Sequence, residues 1–195
     1  MFEHVTILLS FVYALALTHL LSSATELLVA RKQVRFSGLY AAWFLTALLV
    51  VLINWLSLWG LVAVKRWTIA EVMLQFLTAV VQYFTCSTFR ISEARRDEVI
   101  DLPALFEQRR PVIFSAFLAL DLIASFQNWW HRENLAGPAP RPTDWIGEDL
   151  SIIPMAVAAT VAGWARPRWL QWTAAALMLG LSIFFLVTYD ALPAG

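Results

Sequence analysis

Six apolar stretches, 5–30, 37–64, 68–91, 111–131, 145–164 and 167–189, most restrict what this chain can become. Crossing the hydrocarbon of a bilayer takes about 20 helical residues at about 1.5 Å each, and all six reach that length. Hydrocarbon offers no partner to backbone N–H and C=O groups, so each stretch is expected to be a helix. The alternation over about ten residues that a membrane barrel needs is absent. The expectation is an all-α polytopic membrane protein, a bundle of six transmembrane helices forming one integral membrane domain over 1–195.

Composition agrees with that reading. With 60% hydrophobic and 14% charged residues the chain departs from a soluble domain. Its formal net charge is zero, without a run of like charge, which leaves a nucleic-acid partner no electrostatic basis. The single cysteine, Cys86, permits no intrachain disulfide. No basic segment precedes the first apolar stretch, so residues 5–30 read as a retained span and not as a cleaved signal.

Of the 14 basic residues, the first, third and fifth loops hold Arg31, Lys32, Arg35, Arg90, Arg95, Arg96, Arg109, Arg110, Arg166 and Arg168. The second and fourth hold Lys65, Arg66, Arg132 and Arg141. The positive-inside rule then puts the odd loops in the cytoplasm and both termini outside. Tryptophans follow the same frame: Trp59, Trp67, Trp129, Trp130 and Trp145 mark outer helix ends, and Trp164, Trp169 and Trp172 mark inner ones.

The loop 92–110 mixes charges with Val99, Ile100, Leu102, Leu105 and Phe106, and Asp101 ahead of Pro103 resembles a helix start. It is expected to be a cytoplasmic amphipathic helix on the membrane surface, with partner docking as its alternative. The other long loop, "RENLAGPAPRPTD", reads as an exposed outer connector. A weak three-plus-three inverted repeat has thin support, "LALT" at Leu15–Thr18 against "LALD" at Leu118–Asp121.

Ionisable groups at membrane depth are costly and by default functional. Asp121 lies ten residues past Pro111, about 15 Å in, and His19 lies eleven residues from the inner end of its span, about 16 Å. At one depth they form a candidate midplane pair, each offsetting part of the other's burial cost. His19, Ser22, Ser23 and Glu26 share a helical stripe, as do Gln75, Thr78 and Gln82, and Asp121, Ser125 and Asn128. Asn54 and Ser57 add a smaller patch. Glu26 would be a cytoplasmic relay, and Glu71 or Asp149 an outer mouth. Each has a plainer reading: amides and hydroxyls as interhelical glue worth about 0.6 kcal/mol each, Glu71 closing a capping box with Thr68, Glu148 and Asp149 complementing a helix dipole.

Other chemistries fail on composition. The lysines Lys32 and Lys65 lie in loops, so no retinal Schiff base forms. His4, His19 and His131 are not at matched depths for bis-histidine haem, leaving only His4 with His131 as an outer edge pair. There is no H-E-x-x-H, glycine-flanked serine or phosphate loop. No catalytic residue, metal or cofactor is therefore expected. The motifs "ALTHLL", "YAAWFLTALLVVLINWLSLWG" and "DLPALFEQRRPVIF" resemble an uncharacterised family of small bacterial multi-pass membrane proteins. That resemblance implies a bacterial inner membrane and a helical bundle, and implies no activity or ligand. The functional expectation is transport or conduction of a proton, small cation or small polar solute. Its alternative is a non-catalytic subunit or sensor, whose partner is a second copy or a membrane complex.

Overall fold

The computed structural model describes residues 2–63, 67–91, 99–131 and 142–188, with side chains placed for these apart from residues 2, 62–63, 131 and 142–151. Within them lie six helices: α1 Phe2–Val29, α2 Gly38–Ser57, α3 Ile69–Ser87, α4 Leu102–His131, α5 Pro142–Trp164 and α6 Arg168–Thr188. The protein is all-α, and α1, α2, α3, α4 and α6 are each long and apolar enough to cross a membrane. In α5 the apolar part runs over Ile152–Trp164, within a helix of 23 residues.

Local chemistry sets the helix starts. Ser37 Oγ accepts from the Tyr40 N–H at 3.2 Å ahead of α2. Ahead of α3, Thr68 and Glu71 satisfy each other's backbone N–H at 3.3 and 2.6 Å, a complete capping box. Asp101 Oδ1 accepts from the Ala104 N–H at 3.1 Å at the head of α4.

The loop 92–110 divides. Residues 92–98 lie outside the described residues, Ile100–Asp101 is a short strand (β2), and Leu102 to Arg110 are helical in direct continuation of the span. No separate surface helix stands there among the described residues: α4 starts nine residues before Pro111 and runs through it. Proline removes one N–H and presses on the preceding turn. Here the two arginines before it anchor that turn to the neighbouring helices.

Arg109 donates to the carbonyls of Thr88, at 2.9 Å, and Arg90, both past the end of α3. Arg110, buried, donates to Ala162 O at 2.7 Å and to Ala165 O, carbonyls at the end of α5. The last carbonyls of a helix lack intrahelical donors, so a guanidinium fork is a fitting cap. Strand β1, Val34–Arg35, pairs in parallel with β2 in the register Val34 with Ile100 and Arg35 with Asp101, and the last two side chains form an ion pair at 2.9 Å. The first, third and fifth loops thus gather at one end of the bundle.

The main helix contacts run in a ring: α1 on α3, α3 on α4, α4 on α5, α5 on α6, α6 on α2 and α2 back on α1. Moving along the chain by three helices carries the α1–α2 contact onto α4–α5 and α2–α3 onto α5–α6, which also touch, but α1–α3 onto α4–α6, which is not a main contact. Trp43 of α2 anchors the core, its ring 4.5 Å from Phe114 and 5.6 Å from Phe117 of α4. Ala158, Ala159 and Ala162 of α5 and Ala174 and Ala175 of α6 are buried, the small residues that let membrane helices approach closely. A Cβ at Gly163 would lie 3.0 Å from Phe114 Cβ, so the absence of a side chain there brings α5 onto α4.

Candidate functional site

Along α3, Glu71, Gln75, Thr78, Gln82 and Thr85 recur at spacings of four, three, four and three, and all are buried. This is one face of a helix, spanning about 21 Å at the helical rise. Much of it is hydrogen-bonded within the protein. Gln82 Oε1 accepts from Asn54 Nδ2 of α2 at 2.7 Å, and its Nε2 donates to Cys86 Sγ at 3.5 Å. Thr78 Oγ1 donates to Leu74 O at 3.0 Å and accepts from Gln127 Nε2 of α4 at 2.8 Å. Glu71 is held in its capping box with no exposed surface.

His19 belongs to the same region. Its Nε2 lies 2.9 Å from Tyr83 Oη of α3, the rings edge to face with centroids 5.0 Å apart. The tautomer decides which of the two donates. Helix α1 meets the bundle through Leu9, Tyr13, Ala16, Leu20 and Ser23, all buried, with Ser23 Oγ donating to His19 O at 2.9 Å. Glu26 falls outside that face. It is exposed, as is Ser22, whose hydroxyl donates to it at 3.4 Å.

Asp121 is elsewhere. No hydrogen bond or ion pair joins it to His19 among the described residues, because α3 stands between α1 and α4 in the ring. A shared depth left the direction around each helix undetermined, and packing points the two side chains to different neighbours. Asp121 lies on the side of α4 that meets α5. It is 9% exposed, and its Oδ2 has no hydrogen-bond partner. It borders a cavity of about 400 Å³ between the two helices, lined by Asp121, Leu122 and Ser125 of α4 and by α5 residues including Ile153, Val157 and Thr160. The rim is apolar and outward: Leu122, Ile153 and Val157 are more than half exposed on the surface of the bundle.

No family model, curated protein or solved structure matches the chain. The geometry therefore carries the functional reading by itself.

The expected site residues divide accordingly. Gln75, Gln82 and Glu71 lie in the α3 interior, His19 joins it through Tyr83, Asp121 lines the α4–α5 cleft, and Glu26 faces outward. Asn128 is half-buried on α4, and the side chain of Asp149 lies outside the described residues. Tyr83 and Gln127 were missing from the expected site. Tyr83 had a usable signal, a phenol tip at membrane depth in need of a partner. Gln127 had none beyond its adjacency to Asn128. Among the described residues no group of three or more His, Cys, Asp and Glu stands ready to hold a metal ion.

Proposed function

We propose that this protein carries a proton, small cation or small polar solute across a bacterial inner membrane, with Asp121 as its membrane-embedded acidic group. One observation carries the reading: a buried carboxylate whose Oδ2 has no protein partner and which borders a cavity. An intramembrane acid normally meets a counter-charge or a donor. Where the described residues give Oδ2 no partner, a proton or a cationic solute is the natural complement. The basic loops give the orientation, with the Arg35, Arg109 and Arg110 end in the cytoplasm and both termini outside. Reconstituted into proteoliposomes with an internal pH or cation indicator, the protein is expected to produce flux that Asp121→Asn removes and Glu26→Gln leaves unchanged. Flux that survives Asp121→Asn would rule this assignment out.

A second reading, a non-transporting membrane subunit or sensor, draws on the other region. The paired amides and hydroxyls around α3 are what helix-to-helix glue requires. On that reading deletion of 92–98 abolishes capture of a membrane partner, and no flux accompanies the purified protein.

A further inference from the structure

The transport reading leaves open what kind of molecule meets Asp121, and the surroundings of that carboxylate narrow the choice. The residue is 9% exposed and its Oδ2 is unpartnered. The nearest arginine on the same helix is Arg110, eleven residues away, about 16 Å along the axis, and its guanidinium is occupied by Ala162 O, Ala165 O and Glu107. Among the described residues no ion pair involves Asp121, which leaves complementary charge to the occupant.

The rest of the cavity asks for something different. Leu122, Ile153, Ala156 and Val157 line it with hydrocarbon, and Ser125 and Thr160 supply the remaining hydroxyls. The Thr160 hydroxyl already donates to Ala156 O at 2.8 Å, so it has only acceptor capacity to spare. The exposed rim faces sideways, where lipid tails would lie, so access is through the bilayer and not along the bundle axis. A strongly hydrated metal ion or a sugar has no reason to enter by that path. An apolar molecule with one positive donor group does, since its body partitions into lipid and its head finds the unpaired carboxylate oxygen of Asp121.

We propose that the α4–α5 cleft is a binding site for lipophilic amines, with the ammonium group donating to the Asp121 carboxylate and the apolar body lying against Leu122, Ile153 and Val157. A volume of about 400 Å³ is in the range of small-molecule sites, roughly 300 to 1,000 Å³. This inference rests on the transport reading only for its biological meaning, because binding can be measured without flux.

The test uses the full chain in detergent micelles and calorimetric titration with 4-phenylbutylamine, against its uncharged analogue 4-phenylbutanol and a protein-free micelle blank. The amine is expected to bind saturably, with affinity lowered about tenfold or more by Asp121→Asn, the scale of one hydrogen bond to a charged group. The alcohol is expected to bind weakly and to be indifferent to that substitution. Val157→Phe, which fills the cleft from its open rim and spares the carboxylate, should also weaken the amine. Size-exclusion profiles of both variants guard against misfolding as the cause.

Equal binding of amine and alcohol would mean an apolar slot for lipid tails or a partner helix and would overturn the proposal. So would amine binding that Asp121→Asn leaves intact. Proton flux in proteoliposomes without amine binding would overturn this inference and leave the transport reading standing. Amine binding without any flux would do the reverse.

Discussion

Around α3, Gln82 accepts from Asn54 and Thr78 accepts from Gln127, whereas between α4 and α5 the Oδ2 of Asp121 borders a cavity and has no hydrogen-bond partner. Both regions are buried, and both lie within stretches that a bilayer would surround. The first closes its hydrogen bonds across three helices, α2, α3 and α4, and so contributes cohesion. The second leaves an acceptor open at a contact between two helices whose small residues allow close approach. A polar group whose partners are all protein is fixed in place; one without a partner is available to a solute. The contrast gives a rule for reading this molecule: substitutions in the α3 interior should act on stability, and substitutions at the cleft on function.

The largest effect that would break the contrast concerns Asp121. Asp121→Asn is expected to cut proteoliposome flux by about 100-fold, the lower range for a positioned proton-transfer group, while the melting temperature stays level or rises. The rise follows because an unpaired buried charge is costly, so neutralising it removes a penalty. A fall in melting temperature that tracks the loss of flux would mean Asp121 is structural and would erase the distinction.

Next in size is Arg110, which ties α4 to the end of α5. Arg110→Met removes the donor to Ala162 O and Ala165 O and is expected to cost about 3 kcal/mol, from two hydrogen bonds of a charged donor at about 1.5 kcal/mol each. Chemical unfolding in detergent measures it. A cost near zero would mean that water or lipid caps α5 as well as the guanidinium does.

Smaller still is the interior pair. Gln82→Leu strands the Asn54 amide and should destabilise by about 1 kcal/mol, whereas adding Asn54→Leu should recover most of it. A double-mutant cycle reports the coupling directly. Flux unchanged in all three variants would sharpen the division between glue and site; flux lost with stability intact would merge the two regions into one pathway.

The six helices were legible because hydrocarbon leaves the backbone so few alternatives, and the capping box at Thr68 and Glu71 was legible because both partners sit within one turn. Rise per residue gave both His19 and Asp121 an expected depth. What could not be read was azimuth: ring order sends one to Tyr83 and the other to α5. The arginines at 109 and 110 counted in the sequence only as loop charge, and their use as caps on α3 and α5 depended on other helices. Local signals survive in a membrane sequence, and pairings across 50 residues or so do not, because most lipid-compatible side chains fit most neighbours.

The smallest prediction concerns the tie at the basic end, where α4 begins outside the apolar span. The Asp101 carboxyl is held below the usual carboxylate range, first by its hydrogen bond from the Ala104 N–H and then by the Arg35 guanidinium. A carboxyl with a depressed folded pKa stabilises fully above its unfolded value, about 4, and loses that contribution as pH falls from there through the folded pKa. Unfolding midpoints followed from about pH 6 downward, two units above the ordinary carboxylate value, should therefore decline less steeply in Asp101→Asn than in the parent chain. Arg35→Ala should retain part of the parent slope, since the Ala104 amide is the largest single cause. Both groups are solvent-accessible, so the difference is small and shrinks further in high salt for the Arg35 part alone. An Arg35→Ala profile as flat as that of Asp101→Asn would make the ion pair, and with it the β1–β2 contact, the principal tie, and the helix cap secondary.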